Sequence, residues 1–454
     1  MVEPIYIVGS GLGIAFLLGV IKKAGKNTSG VIMLLTLAFL TFISAQWLWS
    51  IVFAGESPQY IFTAGFNPPF SINLLMGKNE AILTTMINSL GVLGGIYLWD
   101  KFKKEGVNSM IVYLLLFVGL NVVIMTRDIF NLFVFLEISS VAIAGLVILQ
   151  RNTIALSSGF KYLIATAIIS GLLLLGIIFT YQITGSLYLD DIFSTNLLAV
   201  KGGVAAVFLI LIAIILELKP FPANGWGLDL YQSASPGLAA LVSGAFATAM
   251  VYVLFKIIPI AGDDMKNMIA GIGAVTFIGS NLLGIKQGNA PRLLGYSSVG
   301  QIGLLVMIIG LSQFLGEKFL LVAGGILISH YLAKAGLFWL AGILNKDNIR
   351  DWSVIRKKPF LLAIFGTFIF ALIGLPPFPS FFAKWELVMQ LSANAGFTWV
   401  GVILLGSFLE GVYLFRWLGY AIKLDNQNLP SFNISLKKIV PVFFVAVALY
   451  VFGY

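Results

Sequence analysis

The sequence predicts an all-α polytopic membrane protein, on three observations. Hydrophobic residues make up 59% of the 454-residue chain and charged residues only 10%, against roughly 25% charged in an average soluble domain. Mean hydropathy is +0.99, more than a surface in contact with water sustains. The apolar residues also fall into runs of about 20, the length that crosses a bilayer as a helix. At about 30 residues per helix and connection there is room for about fourteen spans, leaving almost nothing for a soluble domain.

Read in order, the runs cover 4–21, 29–53, 79–99, 109–126, 129–150, 159–181, 202–219, 235–258, 267–285, 293–313, 319–344, 359–390, 397–421 and 439–453, each to within a few residues. The Met-Val-Glu-Pro start lacks the basic stretch of a cleavable signal peptide, so the first run is expected to stay as a helix. An even number of spans puts both termini on one side. Lys22, Lys23, Lys26, Lys101, Lys103, Lys104, Arg151, Lys286, Arg292, Lys346, Arg350, Arg356, Lys357, Lys358, Lys423, Lys437 and Lys438 fall in odd-numbered connections. Only Lys78, Arg127, Lys201, Lys266 and Lys318 fall in even-numbered ones. Basic connections stay in the cytoplasm, so both termini are expected outside. The net charge of +9 reports orientation here and not nucleic-acid binding.

Cysteine is absent and His330 is the single histidine. Iron–sulfur clusters need thiolates and most haem sites need histidine, and a structural zinc site needs several such ligands. No cofactor or metal is expected in this chain, and any electron chemistry belongs to other chains.

Two spans are interrupted. The seventh runs into Glu217-Leu-Lys-Pro-Phe-Pro-Ala-Asn-Gly-Trp226, with Pro220 and Pro222; the twelfth holds Gly374-Leu-Pro-Pro-Phe-Pro-Ser380, with Pro376 and Pro377. Proline removes a backbone donor and ends a helix, and broken backbone survives at membrane depth only against protein or a wet cavity. One break in each half is the mark of a transporter built from inverted repeats; the plainer reading is a pair of structural kinks.

The spans also contain Glu137, Lys161, Glu217, Lys219, Lys256, His330, Lys334, Lys384, Glu386, Glu410 and Arg416. Each charge at the bilayer centre costs roughly 2.5–3.5 kcal/mol on insertion scales. A series this long reads as an ion pathway, because burial penalises charge and a displaced Glu–Lys pair trades a proton. Lys161 and Lys256 lie near span ends and can instead snorkel to the interface. Glu410, Tyr413 and Arg416 share a face and can form one structural network. Glu137 has no basic residue on its own helix. His330 and Lys334, four residues apart, share a face and read as a relay.

These segments resemble the antiporter-like subunits of respiratory complex I, the Mrp-type antiporters and the membrane-bound hydrogenase and sulfane reductase relatives, over roughly residues 65 to 420. The resemblance is carried by Arg292-Leu-Leu-Gly-Tyr-Ser-Ser-Val-Gly-Gln-Ile-Gly303, by His330-Tyr-Leu-Ala-Lys334, by Gly374-Leu-Pro-Pro followed by Lys384, and by Glu137 and Lys161-Tyr162. It implies N-terminal helices over 1–108, two inverted five-helix repeats over 109–258 and 259–421, and a C-terminal helix over 422–454. It further implies Glu137 as the fifth-helix carboxylate, Lys334 as the central lysine with His330 beside it, and Lys384 as the terminal lysine of the second half-channel. Against the family pattern, Glu217 and Thr248 stand at usual lysine positions, Asn224 at a histidine position and Ser380 at a glycine. Lys219 is therefore expected to serve as the cation for Glu137. No long lateral helix is expected after the last span.

The function expected is translocation of H⁺ and/or Na⁺ by a subunit of a redox-driven complex in a prokaryotic cytoplasmic (inner) membrane. The ion path would run through Glu137, Lys161, Glu217, Lys219, His330, Lys334, Lys384 and Glu410. Expected partners are other antiporter-like and small membrane subunits, peripheral redox subunits and the lipid bilayer, with no nucleic acid. The alternatives are a structural, partly ion-inactive subunit of the same complex, or a free-standing secondary transporter.

Overall fold

A computed structural model describes residues 1–21, 25–63, 65–66, 71–394, 396–424 and 434–453. Lys22 and Lys23, used above for orientation, lie outside the described residues. The first helices are α1 (Ile5–Val20), α2 (Lys26–Val52), α3 (Lys78–Tyr97), α4 (Trp99–Glu105), α5 (Val107–Met125), α6 (Ile129–Ile148), α7 (Thr153–Thr184), α8 (Leu189–Ser194) and α9 (Gly203–Glu217). There follow α10 (Gly225–Ser233), α11 (Pro236–Leu241), α12 (Ala247–Ile257), α13 (Asp263–Gly284), α14 (Ala290–Gly310) and α15 (Phe319–Leu344). The last are α16 (Pro359–Ile373), α17 (Pro379–Asn394), α18 (Phe397–Ile422) and α19 (Leu436–Val451).

Every run read from the sequence carries a helix. Among the described residues, nine helices are long and apolar enough to cross a membrane, or ten if α3 and α4, bent by 68°, count as one span. The seventh run stops at Glu217, just before its prolines, and the twelfth divides into α16 and α17 around its own. The eighth holds a π turn at Val242–Phe246 between α11 and α12. Three helix starts carry side-chain caps: Asp128, Asn152 and Asn289 accept from Asn131, Ala155 and Arg292 N–H, at 2.7, 2.7 and 3.0 Å, the usual role of short polar side chains at such positions.

The fold is all-α, with one small addition. The connection after α2 contains a small antiparallel pair, β1 (Gln59–Phe62) and β2 (Asn73–Met76), with Gln59 opposite Met76. Its inner face, Ile61, Leu74 and Met76, packs with Leu40, Ile43 and Trp47 of α2, so burial of apolar side chains holds the pair in place.

The chain divides into two compact units. One comprises Met1–Glu217 with Tyr252–Gly262, the other Leu218–Val251 with Asp263–Tyr454. In the first, α5 packs on α1, α2, α3 and α6, and α7 packs on α6 and α9. In the second, α14 is buried without interruption from Leu293 to Gly310 and is surrounded by α10, α13 and α15. Gly273 permits the close approach of α13: a Cβ there would lie 2.3 Å from the Met307 nitrogen. Small residues serve this purpose where no water drives helices together.

Candidate functional site

The polar centre of the second unit is a carboxylate between two lysines. Glu410 of α18 and Lys334 of α15 are fully buried and Lys384 of α17 is 8% exposed. The Lys384 ammonium lies 3.9 Å from Glu410 Oε2. Lys334 reaches Glu410 through one hydroxyl: its ammonium donates to Ser297 Oγ, and Ser297 donates to Glu410 Oε1 at 2.9 Å. Gln301, one turn along α14 from Ser297, donates to Oε2. An ionised carboxylate only accepts, and both its oxygens are engaged here, which a buried charge requires.

The break between α16 and α17 supplies the rest of the geometry. A helix end leaves four carbonyls without partners, and at this one all four are satisfied. Phe370 O accepts from Gly374 and Leu375 N–H at 3.1 and 3.0 Å. Ala371 O accepts from the Ser380 hydroxyl. Leu372 O accepts from Gln301 at 3.3 Å and Lys384 at 3.4 Å, and Ile373 O from Lys384 at 3.1 Å. Ser380, the departure from the family glycine, thus fills a backbone position. Gly374 has φ +89°, and a Cβ there would sit 3.2 Å from Lys384 Cδ, so both conformation and space favour glycine.

His330 faces a second branch. Its Nε2 lies 3.0 Å from the Ser243 carbonyl in the π turn. A carbonyl can only accept, so Nε2 carries the proton. Nδ1 is buried with no hydrogen-bond partner among the described residues. Ser243 and Ser298 hydroxyls are 2.7 Å apart, and Tyr231 OH lies 3.4 Å from Ser298. Ser297 and Ser298 are adjacent on α14, as His330 and Lys334 are one turn apart on α15, so the two branches share both helices.

At the earlier break Lys219 has φ +61°, so the regular helical phase that would point it away from position 217 does not apply. Its ammonium sits 5.1 Å from the Trp226 ring and 5.2 Å from the Phe246 ring, both within cation–π reach. A Cβ on Gly227 would lie 2.5 Å from Lys219 Cδ, so that glycine leaves the groove for the lysine stem. Pro220 and Pro222 lie in this break as Pro376 and Pro377 lie in the other. Asn224 is buried with its amide 3.4 Å from Ser280 Oγ. In the first unit Glu217 ends α9 and is buried, Glu137 is half-buried on α6, and Lys161 is exposed on α7. Thr248, at the other lysine position, is buried on α12.

One reading of the sequence is corrected and another is refined. Lys256 does not snorkel. It is buried, and its amine donates to Val123, Ile124 and Thr126 carbonyls at 3.0, 2.9 and 2.9 Å, because the end of α5 offers carbonyls that no helix residue satisfies. Glu410, Tyr413 and Arg416 do not bond one another directly, and Glu410 and Tyr413 meet only through Ser297. Tyr413 donates to Asn281 at 2.9 Å, while Arg416 donates to the Ile285 carbonyl and, at 2.6 Å, to that of Gln287. Sequence reasoning missed Ser297 and Gln301, although both stand in the quoted α14 segment. Their spacing of four, which puts two polar side chains on one face of a largely apolar helix, was the available signal.

Residues 126–410 match the family described as NADH:quinone oxidoreductase/Mrp antiporter, transmembrane. The chain is 28% identical over 410 residues to NADH-quinone oxidoreductase subunit N of Desulforudis audaxviator, covering 86% of this chain and 80% of that protein. Its fold matches a chain of the archaeal membrane-bound sulfane sulfur reductase with a TM-score of 0.88 and 24% identity, over 99% of this chain and 94% of the other. It matches a chain of the Mrp complex of a Dietzia species with a TM-score of 0.91 and 18% identity, over 100% and 95%.

Proposed function

The chain belongs to the NADH:quinone oxidoreductase/Mrp antiporter transmembrane family, and on that premise we propose that it translocates H⁺ and/or Na⁺ as an antiporter-like subunit of a membrane-bound, redox-driven complex. The observation that carries this is the line Lys334–Ser297–Glu410–Lys384, buried among apolar helices and ending at a helix break. Polar and ionisable groups held inside a membrane are expensive and mark ion pathways. A carboxylate shared between two lysines gives such a path two arrangements, since weakening one partnership strengthens the other.

The finer reading follows from the family. About fourteen spans would be organised as N-terminal helices over 1–108, inverted repeats over 109–258 and 259–421, and a last helix over 422–454. Both termini would lie outside a prokaryotic inner membrane. Glu137, Lys161, Glu217 and Lys219 would serve the first half; His330, Lys334, Glu410 and Lys384 would serve the second. Partners would be further antiporter-like and small membrane subunits together with peripheral subunits that hold the redox cofactors.

The test is reconstitution of the intact complex into vesicles with its electron donor and acceptor. Entry of protons is followed with an internal pH dye, and entry of ²²Na⁺ by counting. Ion movement that stops when electron transfer is blocked supports the assignment; electron transfer with neither ion moving overturns it.

A further inference from the structure

Two cations outside the Lys334–Lys384 line share a different geometry. In the first unit the Lys256 ammonium has three N–H donors and gives them to the Val123, Ile124 and Thr126 carbonyls. These belong to the last turn and cap of α5, at the negative end of its dipole. Tyr252, one turn earlier on α12, places its ring centroid 5.4 Å from the amine and donates its hydroxyl to the buried Glu80. The second unit repeats the arrangement with other residues. Arg416 donates to the Ile285 and Gln287 carbonyls just beyond α13, and Tyr413, three residues earlier, donates to the buried Asn281. The segments read Val251-Tyr-Val-Leu-Phe-Lys256 and Val412-Tyr-Leu-Phe-Arg416. In the repeat organisation α5 and α13 open the two repeats, and α12 and α18 close them. Each repeat thereby pins the end of its first span with a cation from its last.

Converging backbone carbonyls are the ligands that replace the hydration shell of a monovalent cation in a pore. A bare cluster at the end of a spanning helix would be a stepping stone for the transported ion. A positive charge tethered to the protein fills the cluster, cannot leave, and repels any other cation that approaches. Lys256 precedes an even-numbered connection and Arg416 an odd-numbered one, so the two ends belong to opposite faces of the membrane.

We propose that Lys256 and Arg416 are tethered-cation plugs, each filling the carbonyl cluster at one end of its repeat and so barring leakage of the transported ion. The proposal rests on the ion-translocation reading. Its test uses the intact complex in vesicles under an imposed potassium diffusion potential, without electron donor, with proton and ²²Na⁺ entry as readouts. Lys256→Met and Arg416→Met, once shown to assemble, should each raise passive entry about ten-fold, equivalent to about 1.4 kcal/mol of lost barrier. Lys256→Arg and Arg416→Lys keep the charge and should stay near the native leak. Assembled methionine variants with native leak overturn the proposal. So does failure of both methionine variants to assemble, which makes the two cations structural caps only. A native complex that pumps, with variants that do not leak, removes the plugs and leaves the translocation reading standing; a native complex that moves no ion removes that reading itself.

Discussion

The Lys384 ammonium sits 3.9 Å from Glu410 Oε2 while donating to the Leu372 and Ile373 carbonyls of the broken span. One amine therefore holds both the end of a helix and one side of a buried carboxylate. Any change in that carboxylate's charge is felt directly at the helix break, and any movement of the break alters the carboxylate's field. At membrane depth, where little water screens the pair, this coupling is strong.

Lys384→Ala should lower the number of ions moved per electron. The complex should still assemble: Leu372 O and Ile373 O both lose Lys384, but Leu372 O keeps Gln301 as a donor, and the loss at Ile373 O costs about 1–3 kcal/mol. An ion-to-electron ratio equal to native in the purified variant would remove Lys384 from the path.

Lys334→Met should uncouple electron transfer from ion movement, since the Ser297 hydroxyl then has no cation to relay to Glu410. Lys334→Arg keeps a positive charge and should retain part of the coupling, although its planar fork does not reproduce an ammonium. Vesicle measurements in which both variants pump like native would reduce the His330–Lys334 face to packing.

Much of this was readable from the residues because charge inside an apolar run is costly. Lys334, Lys384 and Glu410 stood out for that reason, and the two breaks because proline removes a backbone donor. Ser297 and Gln301 did not, since hydroxyls and amides are also ordinary packing residues between membrane helices; only their approach to Glu410 gives them a role. Lys256 was misread because an amine near a span end satisfies the snorkelling rule as well as an inward hydrogen bond. Its direction is decided by the buried carbonyls at the end of α5, which no helix residue satisfies, far away in sequence. The β1–β2 pair was hidden for a similar reason, its burial depending on Leu40, Ile43 and Trp47 of α2. Pairings of this kind depend on tertiary contact, which helical periodicity does not encode.

Asp128 gives a prediction on pH. It caps α6 in the connection after α5, and its carboxyl is raised above the ordinary aspartate value of 3.8, mainly by burial. A raised value means the folded protein holds the proton more tightly than the unfolded chain. The stability this contributes is full below about pH 3.8 and is lost as pH rises through the raised value. Asp128→Asn keeps an oxygen to accept from Asn131 N–H and removes the titration. The difference in melting temperature, native minus variant, should therefore fall as pH increases from about 3.8 and then level off. A difference independent of pH in detergent melts would show that Asp128 does not titrate differently on folding.

The last prediction concerns Glu410 itself. If this carboxylate is the anion shared by Lys334 and Lys384, removing its charge should cost the function of both lysines together. Glu410→Gln preserves shape and the contact with Ser297, since an amide oxygen still accepts, but the amide nitrogen cannot accept from Gln301. The Gln301 N–H and the new amide's own N–H groups then meet donor to donor, at about 1–3 kcal/mol for each donor left unmatched. Stability should fall by that amount, and ion translocation should fall about as far as in Lys384→Ala. The double variant Glu410→Gln with Lys384→Ala should then pump no worse than either single one, because groups that act as one unit lose their function once and not twice. Its loss of stability should be smaller than the sum of the two single losses, since neither charge is left buried without its partner. Ion-to-electron ratios and melts of the two single variants and the double variant decide the matter. Strictly additive losses in both measurements would mean that Glu410 and Lys384 act independently, and that their 3.9 Å approach is packing alone.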